Sequence, residues 1–387
     1  MRREDEAVHI YPPKRLVVEK EVADSPLVSS LRRNLPEAEL RVVEKIAPSG
    51  EHDREVLEVV AFRGRCIKSC PGTRHYFCCG YRILHFGMQC SLECTYCILQ
   101  AYLNQPNLRL FGNTEQILDE LSCELEANPG QLFRVGTGEF TDSLLLDPWT
   151  ELSRRLVPFF ARQPNGILEL KTKTHFIDNL EDLDHQGHTI VAWSLNSEHV
   201  RRNEEPKTAS LKERLTAARR CAEWGYRLAF HFDPMIVHEN WRQGYGETLD
   251  RLFEAVDPAN VVWISLGAFR FMPELKEVIR SRHPRSRIPY GEFIRGLDDK
   301  MRYFRDIRVE LYGFMAERIR KVDPGLCVYL CMEGADIWRE GMGFSPEDRG
   351  GLPAMLDRAV QERMGVGLQC APTKPESLEA LRMRVSG

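Results

Sequence analysis

From residue 83 to residue 331, short apolar runs alternate with helix-like segments, and no other feature of this chain restricts its fold as strongly. The runs fall at 83–86, 132–135, 167–170, 189–195, 227–232, 261–266 and 326–331. Between them, 113–127 places Ile117, Leu118, Leu121 and Leu125 on one helical face. Asp147-Pro148 reads as a helix start with a cap and a first-turn proline. Strand and helix in rotation imply parallel strands with right-handed crossovers, either an open doubly wound sheet or a complete or partial (β/α) barrel. No glycine-rich phosphate loop opens the first unit, which favours the barrel. A barrel keeps its chemistry where strands end, and those positions are polar here: Gly136-Thr137-Gly138-Glu139, Lys173, Asn196-Ser197, Asp233, Arg270 and Glu333.

Of the 387 residues 43% are apolar, enough for a full core and too many for global disorder. At about 150 residues per domain, two or three domains fit, or one large barrel with an added piece. The organisation expected is a small N-terminal α/β extension over 1–80, with strand-like patterns at 16–18 and 40–43 around a helix, then a barrel over 81–340 and a helical tail over 341–387. No apolar run reaches the ~18 residues a membrane helix needs. Met1-Arg-Arg-Glu-Asp-Glu lacks the apolar stretch of a signal peptide, so a cytoplasmic protein without a membrane partner is expected. With 53 Lys and Arg against 57 Asp and Glu, the net charge of −4 excludes a uniformly basic nucleic-acid coat and leaves room for local basic patches. Twelve cysteines in such a chain point to metal ligands, redox thiols or buried thiols rather than disulfides.

Cys90-Ser-Leu-Glu-Cys94-Thr-Tyr96-Cys97 is the most informative segment. Three thiolates on a loop just past the first barrel strand can hold three irons of a four-iron cluster and leave the fourth iron open to an exogenous ligand. A structural zinc site would want a fourth Cys or His in a paired arrangement, whereas this spacing is uneven and the nearest His is His85. The segment resembles the signature of the radical S-adenosylmethionine superfamily, with Tyr96 at its aromatic position. Cys94-Thr-Tyr-Cys97-Ile-Leu-Gln100, Thr172-Lys-Thr174, Ser194-Leu-Asn-Ser197, the stretch 226–241 and Pro13-Lys-Arg-Leu16 are similar to the spore photoproduct lyase family within it.

That resemblance implies a partial (β/α)6 barrel of TIM type, a 4Fe-4S cluster on Cys90, Cys94 and Cys97, and S-adenosyl-L-methionine chelating the open iron. Reductive cleavage of the sulfonium would yield a 5′-deoxyadenosyl radical for hydrogen abstraction, with an electron donor such as flavodoxin or ferredoxin. The resemblance places Tyr96 against the adenine, Gly138 and Glu139 at the methionyl ammonium, Lys173, Ser194 and Asn196 at the cofactor, and Asp233 at its ribose or at the substrate. Without it, Glu139 and Lys173 read as a solvated ion pair on the barrel rim. It also implies DNA as partner, through a carbon–carbon lyase reaction on a thymine lesion.

Two family positions differ. The cysteine that returns hydrogen to the thymine radical falls on Phe140, and a tyrosine of the same relay falls on Ile98. A phenyl ring cannot replace a thiol as hydrogen donor. Cys331, near the end of the last barrel strand, and Tyr96 are the replacement candidates; the plain alternative for Cys331 is a small buried strand residue. Cys66, Cys70, Cys78 and Cys79 lie in the approach to the cluster loop, as a second cluster, a relay or structural thiols. His231, Asp233 and His238 read as hydrogen-bonding rim residues rather than a second metal site.

Substrate signals are local. From Arg63 to Leu92 there are five Lys and Arg and no acid; from Lys276 to Lys321 there are thirteen against seven acids, with Tyr290, Phe293, Tyr303 and Phe304 interleaved. Basic groups with aromatics suit phosphates and an unstacked base, while 298–321 also reads as an amphipathic helix with a solvated face. Two rivals to the lesion-repair reading follow. One is a radical enzyme acting on RNA, a peptide or a small anionic molecule, motivated by Phe140 and Ile98. The other is a non-catalytic metal-binding module with zinc on the three cysteines.

Overall fold

The computed structural model describes residues 12–47, 53–70, 75–103 and 105–367. Residues 1–11 of the expected extension, Arg74 of the basic stretch and 368–387 of the expected tail lie outside the described residues.

The chain begins with β1 (Arg15–Glu19), a helix Pro26–Asn34, β2 (Glu39–Val43) and β3 (Val56–Val60), which form a parallel β2-β1-β3 unit. Ser25 caps the helix by accepting from the Val28 N–H at 3.4 Å, and Pro26 opens its first turn. Leu16, Val18, Leu27, Val28 and Leu31 enter the common core. The chain then runs through β4 (Ile67–Ser69), β5 (Arg82–Leu84), β6 (Gly87–Met88) and β7 (Leu108–Phe111). β7 joins the first sheet beside β3, and β6 pairs antiparallel with β7. The 83–86 run is therefore split. Only 82–84 belongs to the barrel; the chain crosses to the N-terminal sheet and back, which suspends the cysteine loop between the two sheets.

The strands β8 (Phe133–Gly136), β9 (Gly166–Thr172), β10 (Thr189–Ser194), β11 (Arg227–Met235) and β12 (Val261–Ala268) follow. A small antiparallel sheet, β13 (Arg270–Phe271), β14 (Phe293–Arg295) and β15 (Met301–Tyr303), precedes β16 (Cys327–Leu330). The main sheet has the order β16-β12-β11-β10-β9-β8-β5-β4, parallel throughout except for the β4–β5 pair. Six crossovers thus link seven parallel strands in sequence order, the topology of a curled partial barrel of the TIM type. β10 and β12 are buried along their whole length, as strands covered on both faces must be.

Thr114–Glu126 is the amphipathic helix expected over 113–127, with Ile117, Leu118, Leu121 and Leu125 buried. Asp147 opens a short helix, Asp147–Thr150, but its carboxylate caps the next one, accepting from the Ser153 N–H at 2.8 Å and Oγ–H at 2.6 Å. The two edges of the main sheet do not pair. Segment 75–81 spans the gap: the Phe77 N–H donates to the Glu333 carbonyl at 3.1 Å, and the Arg302 guanidinium lies 4.1 Å from the Tyr76 ring centroid. No helix among the described residues is long and apolar enough to cross a membrane.

Candidate functional site

The loop after β6 turns twice through left-handed backbone, at Gln89 (φ 73°) and Glu93 (φ 54°), and so wraps back on itself around Cys90, Cys94 and Cys97. Gln100 fixes the far end, its Nε2–H donating to the carbonyls of Cys94 at 3.0 Å and Thr95 at 3.1 Å. Burial raises all three thiols, Cys94 to about 12; Asp142 and Cys97 push Cys90 further and Glu205 and Cys97 push Cys94, while Lys173 and main-chain N–H groups draw Cys97 part of the way back. Three sulfurs on one loop, Cys94 buried and Cys90 and Cys97 half-buried, are costly as bare thiolates, so their ionised forms call for a cationic partner. That donor set fits a corner-trio of cluster irons. Among the described residues no three Cys, His, Asp or Glu converge to hold a single metal ion.

One carboxylate organises the pocket wall beside this loop. Glu205, fully buried, accepts from the Tyr96 hydroxyl, from Lys173 Nζ at 3.1 Å, from Arg214 Nη2 at 2.7 Å and from Asn196 Nδ2 at 3.3 Å. Burial alone would raise it, yet Lys173 and Arg214 outweigh burial and hold it far below the carboxylate range. Lys173 Nζ also donates to the Tyr96 hydroxyl at 2.9 Å, and the ammonium lies 5.5 Å from that ring. Arg214 Nη1 donates to the Ser194 carbonyl at 2.7 Å, so Ser194 enters through its main chain. Next door, Glu204 accepts from Thr95 and, at 2.8 Å, from Ser286. The 204–205 pair thus clamps the cysteine loop onto the strand ends.

Glu139 pairs with Lys171, not Lys173. Strand alternation puts Glu169 and Lys171 on one face of β9; burial opposes the Lys171 charge, but Glu139 and Glu169 hold it above the ordinary ammonium range. Gly138 sits close against this rim, since a Cβ would lie 3.1 Å from the Lys171 carbonyl and 3.0 Å from Ser143 Oγ. Asp142 orders this rim by accepting from the Lys173 N–H at 2.8 Å and Thr172 Oγ1 at 2.7 Å.

Across the barrel, Asp233 takes two 3.1 Å hydrogen bonds from Arg270, whose Nη2 lies 3.3 Å from Cys331 Sγ. The candidates therefore fall into three groups: Tyr96, Lys173, Ser194 and Asn196 around Glu205; Gly138 and Glu139 with Lys171; Asp233 and Cys331 with Arg270. His231, Asp233 and His238 diverge, His231 to Ser265 at 2.7 Å and Glu169 at 2.9 Å, His238 to Ser197 at 2.8 Å. Phe140 packs on His85 (centroids 4.7 Å) and Tyr102 (6.3 Å), and Ile98 is exposed. Of the basic stretches, Arg63 and Arg65 are spent on Glu21 and Glu124, and the helix Arg305–Val322 buries Leu311, Tyr312, Met315 and Ile319. Phe293 and Tyr303 stack at 4.6 Å, while Tyr290, Ile294, Leu297 and Phe304 remain exposed around the β14–β15 hairpin.

Sequence reasoning missed Glu205, Arg214, Lys171 and Asp142. Arg214 was detectable as a charge on the apolar face of its helix beside Leu211, Leu215 and Ala218. Glu205 was not, because its partners come from four separate segments.

The model of the family described as "Spore photoproduct lyase" matches residues 79–306. Spore photoproduct lyase of Bacillus subtilis (strain 168) is 30% identical over 210 residues, 54% of this chain and 61% of that protein. The Geobacillus sp. (strain Y412MC61) enzyme is 31% identical over 207 residues, 52% of this chain and 60% of its own. The matched sequence thus spans about three-fifths of the length of these relatives. The solved structure of a double mutant of spore photoproduct lyase with bound AdoMet and dinucleoside spore photoproduct superposes with TM-score 0.73 and 25% identity, covering 83% of this chain and 98% of that one. The matched span runs from the segment that bridges the sheet edges, through the cysteine loop and the Glu205 pocket, to the hairpin; this chain belongs to the spore photoproduct lyase family.

Proposed function

We propose that this chain is a radical S-adenosylmethionine enzyme that repairs a thymine lesion in DNA, as its relatives' names and the ligands of their structures suggest. One observation carries the reading: three thiols on one loop, Cys94 buried and Cys90 and Cys97 half-buried, stand beside a charged pocket wall at the strand ends of a partial barrel. Cys90, Cys94 and Cys97 would hold a 4Fe-4S cluster. With S-adenosylmethionine bound, the cluster supplies a 5′-deoxyadenosyl radical for hydrogen abstraction. The Tyr96 hydroxyl is fixed by Lys173 and Glu205, and its ring would meet an adenine face. Glu139, paired with a lysine, offers a carboxylate to the methionyl ammonium; Asp233 and Asn196 offer further acceptors. The exposed Tyr290, Ile294, Leu297 and Phe304, with Arg287 and Arg295 nearby, suit a phosphate backbone and an unstacked base. In this reading 1–80 is an N-terminal extension tied to the barrel by β6 and β7, 81–340 is the barrel, and the chain from 341 is a tail whose described part carries the helix Leu352–Met364. The protein works in the cytoplasm, with flavodoxin or ferredoxin as electron donor.

Phe140 favours a second reading in which the same cofactors act on RNA, a peptide or a small anionic molecule, because a phenyl ring packed on His85 and Tyr102 cannot give up hydrogen. Anaerobic reconstitution and incubation with dinucleoside spore photoproduct separates the two. Thymine products support repair; 5′-deoxyadenosine with an intact lesion supports the other substrate; one zinc and no sulfide refutes both.

A further inference from the structure

The helix Leu352–Met364 packs across β12 and β16 and helps to enclose a cavity of about 280 Å³. Val262, Leu326 and Cys327 line it from the N-terminal ends of these two strands, whereas Cys331 lies just past the other end of β16. The cavity is thus at the end of the barrel away from the strand ends that carry the Glu205 wall. Its floor is apolar, with Val262, Leu326, Val328 and Met355 all buried. Its rim is cationic: Arg320, Arg349, Arg358 and Arg363 face a single lining carboxylate, Glu362, which is exposed. Arg363 is paired, with Asp323 at 2.6 Å. The other three make no ion pair among the described residues and rest on neutral groups instead. Arg320 Nη2 donates to the Met342 carbonyl at 2.8 Å, Arg358 Nη2 donates to the Arg349 carbonyl at 2.7 Å, and the Arg349 guanidinium lies 3.6 Å from the Phe344 ring centroid.

We infer that this cavity is a second binding site, for a small phosphate-bearing molecule with a compact apolar or planar body, a mononucleotide in size and chemistry. The charge asks for an anion. Each main-chain contact occupies one N–H of a guanidinium and leaves the rest of that planar fork for another acceptor, and the fork matches the oxygens of a phosphate. Three such cations around one cavity repel one another until an anion sits among them; burial and the Arg349 charge already draw Arg320 below its ordinary range. The floor asks for more than an inorganic ion. A bare phosphate would leave Val262, Val328 and Met355 facing water, while a ligand with a body covers them. The volume agrees, lying at the lower edge of the roughly 300–1,000 Å³ of small-molecule sites. The Phe344–Arg349 stack adds a flat cationic face at the rim, suited to a planar ring or to the phosphate itself. None of this rests on the radical-enzyme reading.

The test is a calorimetric titration of the full-length protein at constant ionic strength with uridine 5′-monophosphate, uridine and inorganic phosphate. It is repeated in Arg358→Gln, in Arg349→Gln/Arg358→Gln and in Arg318→Gln, whose guanidinium pairs with Asp250 at 2.6 Å and does not line the cavity. The site requires saturable binding of the monophosphate, at least about tenfold tighter than uridine, since the nucleoside brings no charge to the arginines. Arg358→Gln should weaken it about tenfold and the double variant further, while Arg318→Gln leaves it unchanged. The monophosphate should also raise the melting temperature of the wild type and fail to raise that of the double variant. No saturable binding, uridine binding as tightly as its monophosphate, or an affinity unchanged by both arginine variants overturns the site. Displacement of the monophosphate by excess S-adenosylmethionine overturns it too, because it places the ligand at the other end of the barrel. Inorganic phosphate binding as tightly as the monophosphate overturns the role of the apolar floor. Arg358→Gln, an exposed position, decides even where the double variant fails to fold.

Discussion

Replacing Glu205 by Gln keeps the shape of the pocket wall and removes one charge. Gln can still accept from Tyr96, yet Lys173 and Arg214 lose their shared counter-charge. Breaking a buried ion pair by removing one partner costs about 3–5 kcal/mol. Arg214 is 2% exposed and cannot recover water, whereas Lys173 at 15% partly can, so the lower end, about 3 kcal/mol, is expected. With a urea slope of about 3 kcal/mol/M, the unfolding midpoint should fall by about 1 M. The pH dependence has a definite sign. Glu205 is depressed in the folded state, so its stabilisation is present above the unfolded carboxylate pKa of about 4.3 and is lost as pH falls toward the folded value. The difference between wild type and Glu205→Gln should be full at pH 7 and shrink steadily below about pH 4. Adding Lys173→Met to Glu205→Gln should cost less than the two changes summed, by about 1–3 kcal/mol. A midpoint within 0.2 M of wild type at pH 7 (about 0.6 kcal/mol at that slope), or a difference flat from pH 7 to pH 3, would refute the assignment of Glu205 as the anchor of this wall.

Other outcomes follow from the same geometry. Changing any one of Cys90, Cys94 and Cys97 to Ala should drop reconstituted iron and sulfide well below about four each per chain and abolish cofactor cleavage. Glu139→Gln should weaken S-adenosylmethionine binding about tenfold, measured by calorimetry, while iron content stays at wild-type level; unchanged affinity would move the methionyl site elsewhere. Phe140→Cys should raise the yield of thymine from dinucleoside spore photoproduct if the chain repairs that lesion, and should change nothing if its substrate is different.

Most of the barrel could be read from the chain because its strands are predominantly apolar runs, interrupted at Arg134, Glu169 and His231 but closed by polar residues, so period and punctuation coincide. The crossing to the N-terminal sheet could not, since Gly87–Met88 and Leu108–Phe111 are too short for any periodicity to register. The three cysteines were legible because their spacing is local. The pocket wall was legible only in part: Tyr96 and Lys173 were found, but Glu205 draws on residues 96, 173, 196 and 214, and no spacing along the chain encodes a meeting of that kind. The Glu139–Lys171 pairing escaped for a smaller reason. Lys171 and Lys173 are two residues apart, the first inside β9 and the second just past its end, and which of them reaches Glu139 depends on where β9 ends.

The choice between Cys331 and Tyr96 as hydrogen donor can be carried one step further. The Tyr96 O–H points at Glu205, a carboxylate with no other route to water, and Lys173 lies on the other side of the same oxygen. Taking that hydrogen removes one donor from a buried anion, at a cost of about 1–3 kcal/mol. It also disturbs the wall against which a cofactor ring would lie. Cys331 has a lighter duty: Arg270 donates to its sulfur at 3.3 Å, and Asp233 keeps two hydrogen bonds from Arg270 when that sulfur loses its hydrogen. In the radical-enzyme reading, Phe140, packed on His85 and Tyr102 in the loop after β8, leaves the opposite edge of the barrel as the side from which a thiol would reach a radical. That edge is where β16 ends and Cys331 stands.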